Sequence, residues 1–115
     1  QLGGILRHSS ASVVGQYSME FLRGCSFSKL FLGVDGIDVD FGISTTDIRE
    51  AELNRAMMQA AQKTIVLADS SKFGRRGFAK ISGMEDIDTI ITDAKIPHAV
   101  AKRIEEMGID LIIAG

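Results

Sequence analysis

Two stretches decide the fold: LFLGVDGIDVDFGIST (30–45) and VLADSSKFG (66–74). In the first, the apolar run 30–34 is broken by Asp35-Gly36. In the second, the run 64–68 is broken by Asp69-Ser70-Ser71-Lys72. Runs this short and this continuously hydrophobic read as buried parallel strands, because helices cover such sheets on their faces. Ligands of open α/β sheets sit in the crevice outside the carboxyl ends of the strands, so polar residues that appear abruptly there are ligand candidates. Gly33 and Gly36 flank Val34-Asp35, and glycine lets a chain turn tightly or approach a ligand that a Cβ would block. Lys72 offers a compact ammonium to a phosphate or carboxylate, and Asp35 and Asp38 offer acceptors to sugar hydroxyls. The pair of turns therefore suits a small polyol phosphate. The plainer reading, that Asp and Gly are ordinary turn formers, weighs about evenly for either turn alone and less for the two together.

Working outward, a strand is expected at 5–7 and a helix at 14–23, with Val14, Tyr17, Phe21 and Leu22 on one face and Gly24 after it. Asp47 followed by Glu50 has the spacing of a capping arrangement and starts a helix with Leu53, Met57, Ala60 and Ala61 on its apolar face. That helix feeds the strand at 64–68. The segment 70–80, SSKFGRRGFAK, is the most loop-like stretch and reads as a ligand-sensitive loop packed back by Phe78 and Ile81. A strand at 89–92 ends in Asp93, and Pro97 suits the first turn of a helix whose inward face is Val100, Ile104 and Met107. Gly108 closes it before a last strand at 111–114. This alternation implies a mainly parallel, three-layer α/β sheet with right-handed crossovers.

Composition narrows the function classes. The chain has 115 residues, a net charge of −2 and 24% charged residues, which suits one domain without a nucleic-acid surface. The single cysteine, Cys25, excludes an intrachain disulfide and fits a reducing, cytoplasmic compartment. Neither His8 nor His98 has a metal-ligand neighbour at useful spacing, so no metal and no cofactor are expected. No apolar stretch approaches the ~20 residues needed to cross a bilayer. The chain opens without Met on what reads as a strand, as a chain beginning inside a larger protein would.

Three ordered motifs, GVDGID (33–38), LADSSKFG (67–74) and IDTIITD (87–93), resemble the carboxyl-terminal sensor domain of the DeoR family of bacterial transcriptional repressors. LGGILR (2–7) and Val14-Gly15 extend the likeness. The resemblance implies a Rossmann-like fold similar to ribose-5-phosphate isomerase and glucosamine-6-phosphate deaminase. It also implies a phosphorylated sugar or sugar-alcohol effector, and homo-oligomers. By the same likeness Asp35, Gly36 and Asp38 form the sugar-facing loop, Lys72 meets the effector's phosphate or polar groups, and Asp69 and Ser71 flank it. The family's helix-turn-helix, through which DNA would be bound, is absent from these residues, and so is the upstream strand with its phosphate loop. The rival reading is a sugar-phosphate isomerase or deaminase. The position where the isomerase resemblance expects its catalytic Glu holds Asn54, which cannot take up a proton. Glu50 and Glu52 read as pointing away from it, and both histidines lie outside the two turns, so binding without turnover is the favoured expectation.

Overall fold

The computed structural model describes residues 27–114. The strand expected at 5–7, the helix at 14–23, and His8 and Cys25 lie outside the described residues. Four parallel strands form one sheet in the order β1 (Phe27–Gly33), β4 (Ala61–Leu67), β6 (Thr89–Asp93), β7 (Asp110–Ala114). Gly33 pairs with Leu67, Leu67 with Ile91 and Ile91 with Ile112, so the strands run in step. Alternation along each strand sorts the side chains onto two faces. Leu30, Leu32, Val66 and Ile90 are buried in one core with Ala51, Leu53 and Met57 of helix α1 (Ile48–Ala60) and Ile104 of helix α2 (His98–Glu106). On the other face Phe31 is 40% exposed, Leu67 41% and Ile112 49%. Both described helices thus pack onto the same side of the sheet.

The expectation of a mainly parallel sheet needs one correction. β2 (Gly36–Asp38), β3 (Gly42–Thr45) and β5 (Ala79–Ser82) make a second, antiparallel sheet, so the fold is α/β with both kinds of pairing. Its strands are hidden in sequence because their segments carry the Asp, Gly and Ser that signal turns. The β2–β3 hairpin closes through Asp38, whose Oδ1 accepts the backbone N–H of Asp40 at 2.8 Å and of Phe41 at 3.2 Å. Gly42 then takes φ +121°, and a Cβ there would stand 2.1 Å from the Ser82 carbonyl. Only glycine fits this crossing of β3 and β5.

α1 starts where Asp47 predicts: its carboxylate accepts the Arg49 N–H at 2.8 Å. Glu50 does not complete a capping box and turns inward instead. α1 ends at Ala60 and β4 begins at Ala61, three residues before the expected strand, with no connecting residue. Since β4 runs parallel to β1, the first turn of α1 lies toward the carboxyl edge of the sheet. Pro97 is the residue before α2 rather than within its first turn. Ile104 is fully buried and Val100 partly so, but Met107, at the helix C-cap, is 43% exposed, against expectation. Gly108 closes the helix at φ +83°.

A candidate ligand site at the carboxyl edge of the parallel sheet

Asp35, Asp69 and Asp93 each lie two residues beyond a member of the Gly33–Leu67–Ile91 row. Asp35 and Asp69 thus follow the carboxyl ends of β1 and β4, and Asp93 ends β6. Two of these carboxylates build the turn that carries Lys72. Asp69 caps the short helical turn Ser70–Lys72, accepting the Ser71 N–H at 2.9 Å and the Ser71 hydroxyl. Asp93 Oδ2 accepts the Ser70 N–H at 2.9 Å while its Oδ1 accepts the Lys95 N–H at 2.9 Å, tying the ends of β4 and β6 together. Hydrogen bonds to the ionised form hold both carboxyls below their usual range, from Ser71 at Asp69 and chiefly from the Ser70 N–H at Asp93. Lys72 is half-buried, makes no side-chain hydrogen bond and no close ion pair among the described residues, and lies near enough to Asp69 for its charge to help hold that carboxyl below its usual range.

The segment after Lys72 is strapped to β2 and β3. Phe73 bridges Ile37, the Gly74 N–H donates to the Ile37 carbonyl at 2.7 Å, and the Gly77 N–H donates to Ser44 Oγ at 2.7 Å. Arg76 Nε donates to Asp38 Oδ2 at 2.9 Å, and this guanidinium, with the two turn N–H groups, holds the Asp38 carboxyl below its usual range. The approach is close enough that a Cβ on Gly36 would stand 2.5 Å from the Arg75 carbonyl. The strap brings the Asp35-Gly36 turn and the Lys72 turn to one edge. Asp38 sits at the far end of β2, with both oxygens engaged in holding the hairpin and the strap. Phe73 packs against the core, whereas Phe78, expected to pack the loop back, is 79% exposed; Ile81 alone does so. Phe41 lies under Arg76 and Lys80, at 5.3 and 5.1 Å from its ring centre.

Two residues the sequence reading did not assign to the site complete the Asp35 side. Thr45, 1% exposed, has its hydroxyl 2.8 Å from Asp35 Oδ2 and 3.0 Å from Glu50 Oε1. The hydroxyl has one proton to give, so Thr45 donates to either carboxylate in turn and holds both near the end of β3. Glu50 is thereby placed in the site and not away from it. Four residues advance a helix about one turn, so Glu50 and Asn54 share a face of α1. The available signal was the polar pair Ser44-Thr45 ending an otherwise apolar strand.

An open depression of about 700 Å³ lies at the opposite, amino-terminal end of the strands, lined by Lys63, Thr89 and Asp110 among others. None of the expected ligand residues borders it. Among the described residues no group of three or more His, Cys, Asp or Glu side chains is placed to hold a metal. No described helix is long and apolar enough to cross a membrane.

Residues 1–94 match the family model of the DeoR C-terminal sensor domain. Over 113 residues, 98% of the chain, it is 42% identical to an Escherichia coli O157:H7 protein named as a candidate transcriptional repressor of the aga operon. It is 34% identical over 110 residues, 96% of the chain, to the HTH-type transcriptional regulator GlpR of Haloferax volcanii. It is 28% identical over 109 residues, 95% of the chain, to the glycerol-3-phosphate regulon repressor of Escherichia coli K12. The chain spans 42–43% of the length of these relatives. An α/β domain whose polar loops gather at the carboxyl edge of a parallel sheet belongs to the small-molecule-binding class of such folds. Within that class, this chain belongs to the DeoR C-terminal sensor domain family.

Proposed function

We propose that this domain binds a phosphorylated sugar or sugar alcohol at the carboxyl edge of β1 and β4. It does so without turnover, as the effector-sensing part of a cytoplasmic DeoR-type repressor of carbohydrate metabolism. The observation that carries the reading is Lys72, half-buried and in no close ion pair among the described residues, with Asp69 acting on it at longer range, at an edge where strand ends converge. A phosphate is a fitting partner for it. In this reading Asp35 and Gly36 meet the sugar, Lys72 meets the phosphate, and Asp38, Asp69 and Ser71 hold the two turns in place. DNA would be read by a helix-turn-helix outside this chain, in a homo-oligomer. The kinship of fold with ribose-5-phosphate isomerase and glucosamine-6-phosphate deaminase is part of the same proposal.

Effector-bound and free forms would differ in the contacts of Lys72 and the strap, which is the differential interaction that coupling requires. A thermal-shift screen with ribose 5-phosphate, glucosamine 6-phosphate and glycerol 3-phosphate against their parent polyols tests the reading, followed by a turnover assay on any hit. Stabilisation by a phosphate ester alone, without product, is expected. Lys72→Ala should weaken that ester about tenfold or more, the scale of one charge-assisted hydrogen bond. Product formation would favour the isomerase or deaminase reading, with Glu50 as the acid nearest to Asp35. No shift with any ester would overturn the proposal.

A further inference from the structure

Asp35 follows the carboxyl end of β1 and is exposed, yet its carboxylate is tethered. Its N–H donates to the Ser44 carbonyl at 3.0 Å, and its Oδ2 accepts the Thr45 hydroxyl at 2.8 Å. Its Oδ1 accepts no hydrogen bond among the described residues. One oxygen is engaged by the fold and the other is not. Thr45 is a rigid support for this tether: it is 1% exposed, β-branched and therefore stiff at χ1, and it ends β3 opposite Ala79 of β5. The strap backs it. The Gly77 N–H donates to Ser44 Oγ at 2.7 Å, and a Cβ on Gly77 would stand 2.7 Å from the Thr45 carbonyl.

We infer that Thr45 is a positioning residue: it holds Oδ2 of Asp35 so that Oδ1 is preset to accept a hydrogen bond from a ligand hydroxyl. This rests on the reading that the edge binds a sugar phosphate, and it deepens that reading by saying how the hydroxyl acceptor is prepared. An exposed aspartate without such a tether samples several rotamers, and a ligand must order it on binding. The Thr45 hydroxyl supplies that order beforehand. Because the same hydroxyl also lies 3.0 Å from Glu50 Oε1, its loss acts on two carboxylates, and removing the Asp35 side chain tells the two effects apart. A bare phosphate, repelled by the Asp35 charge, gains nothing from the tether. Thr45 in this role serves hydroxyl recognition and leaves phosphate recognition to Lys72.

Calorimetric titration of the whole chain tests this, with ribose 5-phosphate, glucosamine 6-phosphate, glycerol 3-phosphate and inorganic phosphate as probes. Wild type should bind one ester more tightly than inorganic phosphate. Thr45→Val, the same shape without the hydroxyl, should weaken that ester about five- to tenfold, the scale of one hydrogen bond, while inorganic phosphate stays within about twofold. Thr45→Ser, which keeps the hydroxyl, should recover most of the loss. In an Asp35→Ala background, titrated at ester concentrations raised to suit its weaker binding, Thr45→Val should change the affinity by less than about twofold, because Thr45 acts through Asp35. Thr45→Ala, checked for folding by circular dichroism, takes the place of the Val variant if that packs poorly. Wild-type ester affinity without the hydroxyl overturns the inference and leaves the sugar-phosphate reading standing. A loss that is equal for inorganic phosphate, or that persists in the Asp35→Ala background, assigns Thr45 to the fold or to Glu50 and also overturns it. Wild type that binds none of the esters overturns both.

Discussion

Thr92 is 3% exposed, and its hydroxyl is sealed in the interior without a partner. It stands one residue past the Gly33–Leu67–Ile91 row, level with Val34 and Ala68. A buried hydroxyl left unsatisfied carries its desolvation penalty undiminished. Thr92→Val, the same shape without the hydroxyl, should therefore stabilise the ligand-free domain by about 1 kcal/mol, read as a later midpoint in urea unfolding; an earlier midpoint would mean the hydroxyl is satisfied in solution. Gly36→Ala should act in the opposite sense. The added Cβ meets the Arg75 carbonyl at 2.5 Å and the Ser44 hydroxyl at 2.8 Å. The strap must then lift, and trypsin should cleave after Arg75 or Arg76 faster than in wild type. At this scale the sequence displayed Asp35 and Lys72 plainly, because a polar residue after an apolar run is visible without a fold. It concealed the inward placing of Thr45 and Glu50, since nothing local tells a polar side chain buried against a neighbouring element from one in water.

The strap between Lys72 and β5 behaves as an element of its own, held by the Gly74–Ile37 backbone bond, one Ser hydroxyl and the Arg76–Asp38 pair. Its electrostatic fastening has a definite pH dependence. The Asp38 carboxyl is held below its usual range first by Arg76, then by the Asp40 N–H. A carboxyl whose folded value is depressed contributes stability above its unfolded value, and loses that contribution as pH falls through the folded one. Asp38→Asn should thus exchange the strap amides faster than wild type at pH 7. The difference should close on acidification below about pH 4, where unfolded Asp titrates. A difference that persists unchanged in acid would assign the effect to the turn rather than to the ion pair. Element boundaries were legible where one residue type decides them, as with Asp47 before α1 and Gly108 after α2. The antiparallel sheet was not, because strand pairing across 34 or more residues, as between Ser44 and Lys80, leaves no local pattern in so short a run.

Among the described residues both helices pack on one side of β1-β4-β6-β7, and the second sheet joins the same core. The parallel order followed from apolar runs ending in Asp. That the helices share one face did not, because it depends on the direction of every crossover at once. An open depression of about 700 Å³ lies at the other end from Lys72, and none of the expected ligand residues borders it.

The direct passage from Ala60 to Ala61 has a mechanical consequence. α1 and β4 form two stiff arms joined at a vertex with no slack, and both arms end at the proposed ligand edge, one at Glu50 and the other at Lys72. A molecule bridging their tips acts as a pin across an open V, and any change in its length becomes a change of angle at the vertex. Inserting two glycines between Ala60 and Ala61 should loosen that joint. Phosphate-ester affinity measured by calorimetry should fall only severalfold, while the release of DNA by effector in a full-length repressor should be lost. Retained release would show that the signal leaves the domain by another route.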